Sequence, residues 1–367
     1  NMLTGSERPD SGVIRLGPAV KAAYLPQVIH FEHPERSILD TMLYELDITA
    51  QDFIDNIGNV IYALDAPVAG PGSFSQYMIS RLAAQHRKVV LGGQGGDEIF
   101  GGYTRYLVAY FEQCIKGAIE GTAQKGAFVV TYESIIPNLT ALRNYKPMLR
   151  SFWSKGLFDE PSKRYFQLIN RAPGMEDCVH RDALPAYDPY DSYERLFVAE
   201  NVDKQSYLDR MTHFDFKTLL PALLQVEDRM SMAHGLESRV PFLDRELVEF
   251  AATIPASIKF KNGTMKYILR SAMSRYVPEQ VMNRTDKMGF PTPFAVWAKG
   301  ECRDFICDTL STTKARQREY VDNAKVISKI NGEGAFSRSL WGFFCLELWQ
   351  QIFHDKANEY RERLNTV

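Results

Sequence analysis

The chain has 367 residues, of which 45% are hydrophobic and 24% charged, with a formal net charge of -2 at pH 7. That balance excludes a broadly basic nucleic-acid surface, and no apolar run approaches the ~20 residues of a membrane-spanning helix, so neither nucleic acid nor a membrane is expected as a partner. The five cysteines, Cys114, Cys178, Cys302, Cys307 and Cys345, are scattered without CxxC or HExxH spacing, which gives no support to a zinc site or a disulfide framework. Free thiols and the lack of a visible secretory signal point to the cytoplasm.

Taken in order, Thr4 to Gly12 (TGSERPDSG) is polar and turn-rich and reads as loop. From Ile48, Thr49 and Asp52 form a weak capping box. Phe53, Ile54, Ile57, Val60, Ile61 and Leu64 then recur at helical spacing until Pro67. A second helix is expected from about Phe74 to Gln85. HRKVVLGGQGGDEIF follows, a short β-branched run, a glycine turn and a new apolar helix, which is the order of a βα unit in a parallel sheet with the strand buried. Beyond Tyr103 almost no strand is expected. Helical candidates are Tyr106 to Ile119, Tyr207 to Leu220, Leu247 to Ala252, Met265 to Tyr276 and Leu340 to His354, the last reading as a buried terminal helix. The pattern is that of an α/β part over residues 1–110 followed by a mostly helical part over 111–367.

Three chemical readings compete for the turn in VVLGGQGGDEIFGGY, Val89 to Tyr103. A Rossmann G-x-G-x-x-G is satisfied by Gly93 and Gly95 but fails at Glu98, and a Walker loop requires a Lys that does not follow. The third is another nucleotide turn, in which glycines let the backbone approach a ligand and the next helix points its N-terminus at it. The plain alternative is a tight strand-to-helix connection without a ligand. Asp97 and Glu98 suit either case: acids at a helix start are favoured by the dipole, and they are also groups that hold Mg2+ beside a pyrophosphate.

A second segment separates these readings. LLQVEDRMSMAHGLESRVPFLDRELVEFA (Leu223 to Ala251), with GGQGGDEIFGGY before it and KYILRSAMSRYVPEQVMNRTDKMGFPTPFAVW (Lys266 to Trp297) after it, resembles the synthetase domain of the glutamine-hydrolysing asparagine synthetase family. LWGFFCLELW extends the likeness. The resemblance implies an α/β fold with the parallel sheet of the adenine-nucleotide α-hydrolase (PP-loop ATPase) type, followed by a mostly helical region. It also implies a chemistry: ATP and Mg2+ activate an aspartate side chain as an acyl-adenylate, and ammonia from a glutaminase displaces AMP. Position by position, Gly92, Gly93 and Gly95 match the backbone against the adenylate, and Asp97 matches the acid near Mg2+ and pyrophosphate. Lys266 matches a pyrophosphate-binding lysine. Lys287 matches the lysine that stabilises charge on the acyl intermediate. An isolated lysine is ordinarily a solvated surface residue; the matched motifs are what lift these two. Glu237, Arg239 and Asp244 are expected to form a buried ion-pair network under the site, and Asp228–Arg229 a supporting or surface pair.

Two departures qualify the resemblance. Gln94 stands where well-known members carry an acid, and a carboxamide can hydrogen-bond but not take a proton. Gly92 replaces a common Ser. The family's S-G-G-x-D-S-S pyrophosphate loop and its Cys-started glutaminase domain are not found in the sequence, so the sheet is expected to be incomplete at its N-terminus. The expectation is a truncated or split synthetase, with a non-catalytic scaffold and an amidotransferase for another carboxylate (the lactam-forming type) as the alternatives. A homodimer is expected from the resemblance alone.

Overall fold

Thr49 starts helix α1 (Ala50–Leu64) as its spacing from Asp52 predicts. The Asp52 amide donates to the Thr49 hydroxyl at 3.1 Å and the Thr49 amide donates to the Asp52 carboxylate at 3.0 Å. Two groups that a helix end leaves unpaired are thereby satisfied, worth about 1 kcal/mol. Phe53, Ile57, Val60, Ile61 and Leu64 form the buried face, and a left-handed Asp65 ends the helix just ahead of Pro67. The computed structural model describes residues 48–67, 70–121, 146–170, 174–200, 206–261, 264–282, 292–332, 334 and 338–365. Residues 49 to 367 cluster as one unit, and the elements below belong to it. The turn-rich Thr4 to Gly12 lies outside the described residues.

Helix α2 (Gly72–His86) leads into strand β1 (Val89–Leu91), the short helix α3 (Gly96–Phe100) and α4 (Thr104–Glu120). The helical part continues with α5 (Lys146–Trp153), α6 (Pro161–Ile169), α7 (Pro189–Phe197), α8 (Tyr207–Lys217) and α9 (Leu219–Met232). Strand β2 (Glu237–Arg239), α10 (Arg245–Thr253) and α11 (Tyr267–Met273) follow. Towards the C-terminus lie α12 (Arg303–Ser311), α13 (Asn323–Ser328), α14 (Ser339–Trp349) and α15 (Ala357–Asn365). The expected helix from Tyr207 to Leu220 breaks at Thr218, so that α8 and α9 are separate and α9 contains the Val226–Glu227–Asp228 run. The Leu340 to His354 helix is α14 followed by a wider π-helical turn over Gln350–His354.

The described sheet is small and parallel: Val89 pairs with Glu237, Val90 with Ser238 and Leu91 with Arg239. β2 is the one strand among the described residues beyond Tyr103, in keeping with the expectation of almost none there. It is three residues long with a charge at each end, so no alternating apolar pattern marks it. β1 is also not the buried strand its β-branched run suggests, with Val89 43% and Leu91 74% exposed. Parallel strands are usually covered on both faces; here α9 packs against β2 while Val89, Leu91, Glu237 and Arg239 share the open face.

Two aromatic cores hold the helices. In the first, Phe53 of α1 packs edge-on against Phe74 of α2 at 5.1 Å between ring centroids, and against Trp297, Trp341 and Phe344 at 5.7, 6.2 and 6.2 Å. The aromatic terminal segment is therefore buried as expected, each such side chain contributing about 1.5–3 kcal/mol by leaving water. Its one acid, Glu347, is buried and is met by Arg318 at 2.9 and 3.0 Å. In the second core, α4, α6, α7 and α8 meet through Tyr106, Tyr110, Tyr165, Phe197, Leu208 and Met211. Two polar hubs lie inside it. Arg164 donates to both oxygens of Glu112 at 2.7 and 2.6 Å. Asp215 accepts from Arg105 at 2.5 Å, from Tyr165 at 2.9 Å and from Tyr106. Burial, above all, pushes the Tyr106 and Tyr165 hydroxyls well above the usual phenol range, which keeps them as donors.

Candidate functional site

β1 delivers the chain to the glycine turn, and the ladder continues one step past it. The Gly92 amide donates to the Arg239 carbonyl at 2.7 Å and the Glu237 amide to the Lys88 carbonyl at 2.9 Å. Gly95 then adopts φ +92°, and a Cβ there would collide with the Leu243 side chain, so the turn depends on glycine twice over. A Cβ on Gly93 would meet nothing within 4 Å, which makes Gly93 the open face of the turn. α3 is only five residues long, so it brings less of a helix dipole to the turn than the sequence suggests. Its position is fixed by Ile99 and Phe100, which pack with Ala251 of α10 and with Phe242, Leu247, Ile268 and Leu269.

That packing also places Lys266. It sits immediately before α11, whose Ile268 and Leu269 rest against α3, and its ammonium lies 2.9 Å from Oδ1 of Asp97. The Lys266 backbone is left-handed, with φ 55°, a conformation that costs a side-chain-bearing residue about 1 kcal/mol. Gly102 makes room for the pair, since a Cβ there would run into the Asp97 carboxylate and the Lys266 chain. The neighbouring acid, Glu98, points inward instead. It is buried and accepts a bond from the Tyr103 hydroxyl, which burial and the Glu98 charge push well above the usual phenol range. Of the two acids in the turn, Asp97 is thus the one offered to the site.

Gln94 turns toward α9. Its Nε2 donates to Oε2 of Glu227 at 3.0 Å. The same carboxylate accepts from Gln76 of α2 and, through Oε1, from the Ser238 hydroxyl of β2 at 2.5 Å. A Cβ on Gly92 would lie 3.3 Å from Glu227 Oε1. Sequence reasoning missed Glu227: it is 133 residues from Gln94, and nothing in the periodicity of its helix sets it apart.

Gly92, Gly93, Gln94, Gly95, Asp97 and Lys266 are brought together around one turn. Lys287 lies outside the described residues. The expected buried network of Glu237, Arg239 and Asp244 is not buried: Arg239 and Glu237 are 67% and 54% exposed at 3.6 Å, and Asp244 caps α10 by accepting from the Leu247 amide at 3.2 Å. Strand alternation puts both charges on the open face of β2, and the half-buried Ser238 and Glu227 make the inward contact. Arg229 reaches Asp65 at 2.8 Å rather than closing on Asp228, at 3.9 Å. All five cysteines are free thiols.

Among the described residues no three His, Cys, Asp or Glu side chains cluster as a metal cage. Asp97, partly accessible at the mouth of the turn, fits the way Mg2+ is ordinarily held, by one or two carboxylates with phosphate and water completing the shell. Among them, too, no helix is long and apolar enough to cross a membrane.

Comparison with known proteins bears on the whole region. The chain is 29% identical over 320 residues to asparagine synthetase [glutamine-hydrolyzing] 1 of Bacillus subtilis (strain 168), covering 84% of this chain and 47% of that protein. It is 30% identical over 322 residues to a putative asparagine synthetase [glutamine-hydrolyzing] of Mycobacterium tuberculosis (strain ATCC 25618 / H37Rv), covering 83% and 46%. Amidase chyE of Penicillium rubens (strain ATCC 28089 / DSM 1075 / NRRL 1951 / Wisconsin 54-1255) is 31% identical over 263 residues, 65% of this chain and 37% of the relative. The chain thus spans about half the length of the curated synthetases it matches. The sequence model of the family described as Asparagine synthase matches residues 37–351, taking in the turn, Glu227, Lys266 and Lys287, and on that match the chain belongs to the asparagine synthase family.

Proposed function

We propose that this chain carries the ATP-dependent amide-forming part of an asparagine synthetase. The side-chain carboxylate of aspartate would be activated as an acyl-adenylate with release of pyrophosphate, then attacked by ammonia from a glutaminase domain or subunit. The observation that carries the reading is the Lys266–Asp97 pair at 2.9 Å, packed against Gly96 and Gly102 at the glycine turn. A cation and a carboxylate, distant in sequence, are held by a left-handed backbone and a glycine gap where a pyrophosphate and its Mg2+ would separate them. In this reading Gly92, Gly93 and Gly95 lie against the adenylate, Lys266 takes the pyrophosphate, and Asp97 takes Mg2+, which offsets phosphate charge when bound. Lys287 stabilises charge on the acyl group and Gln94 orients it. Residues 1–110 supply the nucleotide-binding part of a sheet of the PP-loop ATPase type, and 111–367 supply its helical companion, with β2. Family membership supports the use of ATP. The relative named an amidase favours, as second reading, another carboxylate as acceptor.

The test is ATP–pyrophosphate exchange on the purified chain with Mg2+ and a panel of carboxylates. The expected result is slow exchange that depends on aspartate and falls about 100-fold in Lys266→Ala. Exchange with another acid alone supports the second reading. A folded chain that neither exchanges nor binds an aspartyl-adenylate analogue would be a non-catalytic scaffold.

A further inference from the structure

Arg338 stands just before α14, and its side chain lies against Gly70, just before α2. A Cβ on Gly70 would be 3.2 Å from Nε and 3.3 Å from Cζ of Arg338, so the glycine makes room for the guanidinium. The backbone beside it is already saturated. The Gly70 carbonyl accepts from the Ser73 amide at 3.0 Å and the Ser73 hydroxyl at 2.9 Å. The Pro71 carbonyl accepts from the Phe74 amide at 3.1 Å and the Thr292 hydroxyl at 2.7 Å. Both lone pairs of each carbonyl are thereby used. Among the described residues no carboxylate or other acceptor meets the guanidinium. Its charged neighbour is a second cation, Arg105, which is committed to Asp215 and Tyr165. Desolvation by the surrounding protein, and then the Arg105 charge, hold the Arg338 guanidinium below its usual range, although the residue is exposed. A cation that is crowded, accessible and without an acceptor is placed to take an anion. Tyr103 ties the place to the glycine turn: its hydroxyl donates to Glu98, and it is near enough to both Asp97 and Arg338 for their charges to act. Thr292, which also meets Ser75 at 2.6 Å, follows the segment that carries Lys287.

We propose that Arg338 is a specificity-determining residue: its guanidinium binds the α-carboxylate of the amino acid whose side-chain carboxylate is activated at the turn. This rests on the amide-forming reading above. A planar guanidinium matches a carboxylate with two parallel N–H donors. The reacting carboxylate loses its charge on adenylation, whereas the α-carboxylate keeps its charge from substrate to product. A fixed cation can therefore hold the second group throughout, which lowers KM more than it raises kcat. The substrate is then an amino acid with two carboxylates, and a monocarboxylate is disfavoured.

The test uses β-alanine, which is aspartate without its α-carboxylate. ATP–pyrophosphate exchange is measured with each acid on the full chain and on Arg338→Met and Arg338→Lys. The wild-type chain is expected to prefer aspartate about ten-fold or more. Arg338→Met should lose most of that preference through a raised KM for aspartate, and Arg338→Lys should recover part of it. Equal losses with both acids would mark Arg338 as scaffold only and overturn the proposal. A raised KM for ATP in place of that for aspartate would make it a phosphate contact and do the same. In a second arm, the two acids are titrated into the wild-type chain by calorimetry, with Mg2+ and a non-hydrolysable ATP analogue. Equal binding of the two, or binding of neither, overturns the proposal without any variant having to fold. Preferential aspartate binding without exchange counts against the amide-forming reading instead, and the same titration on Arg338→Met still decides the role of the arginine.

Discussion

The ammonium of Lys266 stands 2.9 Å from the carboxylate of Asp97, and the residue that carries it is held in a left-handed backbone. The two facts pull stability in opposite directions. A partly exposed pair contributes about 0–1 kcal/mol, and the left-handed backbone costs about 1 kcal/mol. Lys266→Gly should therefore leave the urea midpoint unchanged or slightly raised, while Lys266→Ala, which keeps the backbone cost and loses the pair, should be about 1 kcal/mol less stable than the glycine variant. Both should lose pyrophosphate exchange. A glycine variant less stable than the alanine one would show that the backbone cost is not being paid at this position.

Gly93 and Gly102 form a matched pair of controls. Gly93→Ala adds a methyl into open space, so stability should stay within about 0.5 kcal/mol while adenylate affinity falls about ten-fold. Gly102→Ala must push Asp97 and Lys266 apart and should cost about 1–3 kcal/mol of stability as well as binding. Denaturation and titration calorimetry on the two variants check both halves; unaltered binding in Gly93→Ala would move the ligand face elsewhere.

Arg164 and Glu112 are each 1% exposed, and three further acceptors on the guanidinium complete its bonding. Glu112→Ala strands a buried cation and should cost about 3–5 kcal/mol in urea unfolding. Replacing both residues by Met should cost much less than the single change, because no charge is then left unpaired. A double variant as unstable as the single one would contradict this.

The Arg318–Asp355 pair gives a pH signature. The Arg318 hydrogen bonds hold the Asp355 carboxyl below its ordinary value of 3.8 in the folded chain. The pair's contribution is therefore present above the unfolded-state value and is lost as pH falls through the lower folded value. Thermal melts from pH 5 down to pH 2 should fall more steeply for the wild-type chain than for Asp355→Asn.

The grouping of the candidate residues was legible where they lie in short motifs. The glycine turn, Asp97 and Lys266 each lie in a contiguous stretch, and the fold brings them together. α1 was legible because its cap and its apolar stripe agree. Glu227 was not, since its partners come from α2, the turn and β2, and no local pattern reports a contact made only by tertiary packing. β2 was hidden for a related reason: it is a strand because Lys88 and Gly92 bond to it, not because its own three residues alternate. The exposure of Glu237 and Arg239 follows from that pairing and reversed the expected network. The Thr218 break that separates α8 from α9 is announced by Pro221, which stands in the first turn of α9 and cannot continue the preceding helix.

The unfavourable backbone at Lys266 has a consequence over evolutionary time. A lineage released from selection for phosphate chemistry has a downhill route at this codon toward glycine or asparagine, which occupy that conformation without penalty. Retention of lysine at 266 in descendants of this gene would therefore signal continued use of the turn, and its drift would date the loss of that use.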